Sequence, residues 1–248
     1  MTFKLFLGLC CFLCFSISYP QIAEPSSVID KYVLQVEMEA QYALQKEGIE
    51  KIVTWSLPST LFRYGLFKDV ELQLNAPLIN EQFYVNDDLV YNTNRFTYIQ
   101  MGASVNLWNQ RNVIPEAAFM AKIIIPVQKE EQFNKVGAII AFNFSNSISD
   151  KFSLNYNIGF ARSYDNSNQG YYDINLVYDL NQKIHLFIED FSNFDAKLVN
   201  SHTINLGGGY AINKNMCFDM SIANGLNGNL FYTSLLFTWA INTKNSFL

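Results

Sequence analysis

The sequence predicts an all-β protein, a closed antiparallel up-and-down transmembrane β-barrel of about 12 strands. Three observations predict it. Apolar and polar residues alternate with period two along most of the chain, the signature of strands rather than helices. One face of that alternation lacks charge, whereas the opposite face collects it. Tight turns alternate with longer connections, as they do in barrels that cross a membrane. The stretch "DKFSLNYNIGFARSY", residues 150–164, shows the first two together: Phe152, Leu154, Tyr156, Ile158 and Phe160 alternate with Ser153, Asn155, Asn157, Gly159 and Ala161. In a soluble sandwich the apolar set would face a core. In a membrane barrel it faces lipid, and the polar set faces a lumen.

In chain order, the first element is not a strand. Residues 1–20 carry one cation, Lys4, then an apolar run from Leu5 to about Ile17, then small and polar residues. This is the pattern of a cleaved secretory signal peptide, with cleavage at about residues 18–21. The run is shorter than the roughly 20 apolar residues of a spanning helix. Residues 21–248 are left as one barrel domain, a length that about twelve strands and their connections consume, with no room for a plug module.

The alternation then recurs. Tyr32, Leu34, Val36, Met38, Ala40 and Tyr42 oppose Val33, Gln35, Glu37, Glu39 and Gln41. Val70 to Ala76, Ile99 to Leu107, Ala117 to Ile125, Val136 to Phe144 and Phe152 to Phe160 repeat it, followed by Tyr172 to Leu180, Ile204 to Ile212, Met216 to Ile222 and Leu235 to Ile241. Two segments are irregular: Ile52 to Tyr64 contains Pro58, and Ile184 to Asp190 sets Phe187 on the polar face. Tight turns are read at 67–69, 109–112, 149–150, 181–183 and 213–215, and longer loops at 77–93, 126–134, 165–169 and 191–200. This parity puts the turns on the periplasmic side and the loops outside.

Composition narrows the classes further. The chain is 50% hydrophobic, 15% aromatic and only 16% charged, with a mean hydropathy of +0.05. Apolar and uncharged polar residues therefore share it about equally, as alternation demands. Loss of Lys4 with the signal leaves a formal charge of about −6, and no Lys/Arg cluster suits a nucleic acid. Cys10, Cys11 and Cys14 leave with the signal, so Cys217 remains alone and no intrachain disulfide forms.

The blocks "EPSSVIDKYVLQVEMEAQY", "PSTLFRYGLFKDVELQL", "SISDKFSLNYNIGF", "YYDINLVYDLNQKIHLFIE" and "INLGGGYAINKNMCFDMSIANGLN" resemble an outer-membrane β-barrel family of transporters and phenol meta-cleavage-pathway proteins. The resemblance runs from about Glu24 to Ile241. Its most specific piece is "LFRYGLFKDVEL", with Arg63 before the tight turn and Glu71 after it. It implies residence in the bacterial outer membrane, contact with its lipid and with the barrel-insertion machinery, and passage of a small solute. Such barrels end on an aromatic residue read by that machinery. Here Phe237 and Trp239 lie in the last strand, and Phe247 follows within a polar tail.

The expected functional residues are the charged ones of the polar face: Arg63, Glu71, Glu37, Glu39, Glu116, Lys122, Asp173, Asp179 and Asp219. A lysine or arginine on the lipid face would cost about 2–4 kcal/mol at mid-bilayer, which assigns these residues to the lumen. There they either filter solutes or pair across a narrow interior and fill it. Arg63 is expected opposite Gln73 and diagonal to Glu71, within reach of an ion pair. Chemistry beyond this is thin, and neither catalysis nor a cofactor is expected. Ser201 and His202 are neighbours on a strand and point to opposite faces. His185 shares a face with Glu189, but at about 13 Å the two cannot hold one ion, and no metal site is expected. Gly207 to Gly209 marks a close approach within the sheet rather than a phosphate loop, and Cys217 lines the lumen as a small residue. The expected activity is a channel for small solutes. The alternatives are a structural or partner-binding barrel with a side-chain-filled lumen, and a soluble secreted β-protein.

Overall fold

The structure, a computed structural model, describes residues 23–96, 98–127, 136–163, 167–194, 201–227 and 229–244. Alternation becomes thirteen strands among them: β1 (Val33–Glu47), β2 (Glu50–Phe67), β3 (Val70–Val85), β4 (Asp88–Phe96), β5 (Tyr98–Trp108), β6 (Glu116–Pro126) and β7 (Gly137–Ser147), then β8 (Phe152–Arg162), β9 (Asn168–Asn181), β10 (Ile184–Phe194), β11 (Ser201–Asn213), β12 (Met216–Gly225) and β13 (Asn229–Asn242). Apart from β4 and β5, each strand pairs antiparallel with its neighbours in sequence, and β1 pairs with β13, which closes the sheet. β3 pairs along its first half with β5 and along its second half with β4. β4 and β5 therefore share one position in the wall, which is a closed barrel of 12 strands.

The polar set faces inward and the apolar set outward. Phe62, Leu74, Ile123, Phe142, Ile158, Ile174, Ile188 and Leu235 are exposed on the outside, whereas Arg63, Glu71, Lys122, Asn143, Asn157, Asp173, Glu189 and Asn205 are buried inside. This inversion of the soluble pattern is what a hydrocarbon solvent requires. No helix among the described residues is long and apolar enough to cross a membrane, so strands alone make the wall.

Two expectations need correction. The segment read as a loop at 77–93 continues as the β3–β4 hairpin, closed by a two-residue turn whose Asn86 and Asp87 both have positive φ, +51° and +65°. Asn and Asp tolerate that conformation, and such a turn matches strand twist. The polar composition of Asn80, Gln82, Asn92 and Asn94 hid the strands, because backbone ladders form there without an apolar face; Asn80 Nδ2 donates to Asn92 Oδ1 at 2.8 Å. The β1–β2 connection is equally short, at Gly48 and Ile49, so long and short connections do not alternate throughout. The tips of the other long connections, at 128–135, 164–166 and 195–200, lie outside the described residues, as does Phe247.

The second correction concerns the lumen, which does hold a plug. Length counting detects a plug domain but not a segment of eight residues. Pro58 sits in a bulge of β2, between Ser56 and Ser59, where a missing N–H costs the ladder little.

Candidate functional site

Residues 23–30 precede β1 and have no alternation. They run inside the barrel as a strap, from the end with the short turns toward the opposite wall. Their path begins at Tyr32, which takes φ +67°. Its N–H donates to the Gly65 carbonyl, and its own carbonyl accepts from the N–H and the hydroxyl of Thr243. Left-handed backbone at a tyrosine is uncommon and persists where the surroundings hold it. Here the ends of β2 and β13 do so. Gly65 is required for a second reason, since a Cβ there would overlap the carbonyl oxygen of Asp30.

The strap is bound by polar side chains from six strands. On the β2–β3 wall, Arg63 and Glu71 form a two-pronged ion pair, Nε to Oε1 and Nη2 to Oε2, both at 2.9 Å. Register explains it: Arg63 stands opposite Gln73 and Gly65 opposite Glu71, so the pair lies on the expected diagonal. Glu37 approaches Arg63 Nη1 at 3.5 Å, and Gln73 donates to Glu71 at 2.6 Å. Glu71 Oε2 also accepts the Ile29 N–H at 2.8 Å, and Arg63 Nη2 donates to the Ser27 carbonyl at 3.3 Å. Farther in, Asn106 of β5 donates to the Ser26 carbonyl at 3.5 Å. Lys122 of β6 pairs with Glu24 at 2.6 Å, and Asn157 of β8 donates to the Glu24 carbonyl at 2.8 Å. On the far wall, the Ala23 N–H donates to Glu189 of β10 at 2.8 Å.

The expected residues thus divide. Arg63, Glu71, Glu37 and Lys122 come together around the strap. Glu116 lies lower on β6 and accepts from Asn106 at 2.8 Å. Glu39 faces the lumen from β1, 3.5 Å from the Gln41 amide nitrogen. Asp173 is buried on β9, and among the described residues neither of its carboxylate oxygens meets a hydrogen-bond donor. Asp179 and Asp219 sit near the short turns, Asp179 exposed and Asp219 half-buried.

Glu24, Glu189, Asn157 and Asn205 were missed as site residues. Glu189 is fully buried and accepts from Asn205 at 2.7 Å and Asn175 at 3.4 Å, besides the strap. A usable signal was Gly65 within a strand that otherwise carries side chains, since an interior glycine marks close approach of another backbone. Toward the end opposite the short turns, Ile79, Tyr98, Met120, Ile124, Ile139 and Tyr171 form an apolar cluster inside the barrel. A shallow apolar groove of about 700 Å³ also marks the outer wall, among Phe62, Leu74, Met101, Ile123 and Ile140. Continuous pairing of β5 with β6 separates it from the lumen.

Comparison with known proteins matches this architecture. The family model described as "Putative MetA-pathway of phenol degradation" matches residues 19–230. Among solved structures, the COG4313 outer membrane channel from Pseudomonas putida F1 superposes with a TM-score of 0.69 at 8% identity, covering 90% of this chain and 100% of that one. The transport unit of the autotransporter AIDA-I from Escherichia coli gives a TM-score of 0.53 at 10% identity, covering 94% and 97%. A KdgM porin in complex with disordered oligogalacturonate gives 0.52 at 9% identity, covering 82% and 98%. No curated protein matches the chain by sequence.

Proposed function

The chain belongs to the family of the putative MetA-pathway of phenol degradation, and from that premise we propose that it is a bacterial outer-membrane channel for small solutes, with its lumen constricted by residues 23–30. It reaches the outer membrane after removal of residues 1–20 as a signal peptide. The short turns then lie in the periplasm and the extended β3–β4 hairpin projects outward.

One observation carries this reading: the strap is held by hydrogen bonds and ion pairs and not by an apolar core. Polar contacts of this kind exchange with water and with a polar solute at modest cost, because each lost bond is replaced by one to solvent. An apolar seal would offer no such exchange. Arg63 and Lys122 hold the strap, while Glu37, Glu39, Glu116, Asp173, Asp179, Asp219 and Glu189 bias the lumen toward cations.

A second reading is a closed structural barrel, favoured by the apolar cluster around Met120 and Tyr171, which fills one side of the interior beyond the strap. Planar-bilayer recording separates the two. The channel reading expects conductance from the refolded protein, cation-selective by reversal potential and larger after deletion of residues 23–30. Absence of conductance from both forms, each still migrating as a folded barrel on unheated gels, would establish the closed barrel.

A further inference from the structure

Three side chains of different ligand chemistry converge on the inner wall near the short turns, apart from the strap and its contacts. His185 lies at the start of β10, and Cys217 and Asp219 lie at the start of β12, two residues apart and so on one face. β11 runs between these strands. Its register places Gly209 opposite both His185 and Asp219. A Cβ at Gly209 would overlap Asp219 Oδ1 and His185 Cε1, so the two side chains meet only because that position is empty. His185 Nε2 stands 2.8 Å from Asp219 Oδ1. One ligand atom from each of the three residues lies within 4.8 Å of the others.

We propose that His185, Cys217 and Asp219 form a binding site for a divalent transition-metal ion of the zinc type, at the short-turn mouth of the barrel. An imidazole nitrogen, a thiolate and a carboxylate with a fourth position open to water make an accepted zinc ligand set. Bonds of about 2.0–2.3 Å place tetrahedral ligand atoms about 3.3–3.8 Å apart, within side-chain rotation of the spacing observed. The thiolate selects zinc, cadmium or copper over magnesium and calcium, which prefer oxygen alone. On binding, metal–nitrogen, metal–sulfur and metal–oxygen bonds form. The thiol proton, and any proton shared between His185 Nε2 and Asp219, pass to solvent, and no electrons change hands. All three residues are half-buried, which leaves the ion an aqueous approach. Asp179, opposite His185 on β9, adds an acidic group beside it. A bound ion would tie β10 to β12 across β11, whether or not the lumen conducts.

The test uses the full chain in detergent without a histidine tag. Zn²⁺ is titrated against a chromogenic chelator, and Co²⁺ is followed by absorbance. Binding of one equivalent is expected, with a thiolate-to-cobalt charge-transfer band in the near ultraviolet. Cys217→Ser and His185→Gln should each weaken Zn²⁺ binding by at least roughly tenfold, and Cys217→Ser should abolish the band. His202→Gln, at the opposite end of the wall, should change neither. Zn²⁺ should also slow maleimide labelling of Cys217 in the unmutated chain by roughly tenfold or more, a readout that needs no variant to fold. Failure of the unmutated chain to bind an equivalent, equal affinity in Cys217→Ser, or labelling indifferent to Zn²⁺ would overturn the site.

Discussion

The two walls that face each other across the lumen balance their charges differently. On the β1–β3 and β6 wall two buried cations meet acids, Arg63 shared by Glu71 and Glu37 and Lys122 taken by Glu24 of the strap, while Glu39 and Glu116 meet amide nitrogens. On the β9–β11 wall, among the described residues, Glu189 accepts from neutral donors and Asp173 meets no hydrogen-bond donor. Both walls are buried and both descend from the same alternating pattern. For the channel proposed above, the difference suggests two uses for an inward-facing charge. Paired with an opposite charge it orients a neighbouring segment. Left with neutral donors it shapes the field that a passing ion would meet.

The largest expected effect lies on the paired wall. Arg63→Ala strands Glu71 and Glu37 in a buried position, a loss of about 3–5 kcal/mol for a buried pair broken on one side. It should lower the temperature at which the barrel loses its fast gel migration. Arg63→Met combined with Glu71→Leu should recover much of that loss, since replacing both partners by apolar groups removes the unpaired charge. If the single variant melts like the parent, the ion pair does not hold the strap's wall.

Lys122→Ala should act less on stability and more on the strap. Glu24 is partly accessible at 20%, so water compensates some of its charge, and the loss should stay near 1–2 kcal/mol. Freed from Lys122, the strap should become accessible to a protease added on the short-turn side, and single-channel conductance should rise. Unchanged protection would assign the strap's anchorage to Arg63, Asn157 and Glu189 alone.

The smallest effect is expected on the unpaired wall. Asp173→Asn removes a carboxylate without protein donors, so stability should stay level or rise by about 1 kcal/mol. Cation preference, read as reversal potential in a salt gradient, should fall. A marked loss of stability would show that Asp173 is compensated after all, and the contrast between the walls would weaken.

The register around the first tight turn was legible because it is local. Arg63 opposes Gln73 because a two-residue turn at Lys68 and Asp69 and a bulge between Gly65 and Phe67 together give the offset expected of a three-residue connection. Period-two alternation likewise assigned a lumen side to the strands it marked cleanly, without knowledge of their neighbours. The β3–β4 hairpin was not legible, because its central pairs, Asn80–Asn94, Glu81–Thr93 and Gln82–Asn92, are polar on both faces and composition there resembles a loop. The strap was not legible either. Residues 23–30 contain no period, and what holds them is drawn from strands as distant in sequence as β2 and β10.

What the sequence by itself determined is therefore the wall: strand period, the face each residue takes, and the class of solvent outside, since these depend on separations of one or two residues. Only the tertiary structure decided what meets inside it. Closure of β1 on β13 brings the chain ends together, and the stagger of twelve strands determines which lumen residues become lateral neighbours. His185 and Asp219 are far apart in the chain and meet across Gly209, and Glu24 finds Lys122 from outside the wall altogether. Alternation specifies a side chain's face, but its partner is set by closure and register, which no single strand encodes.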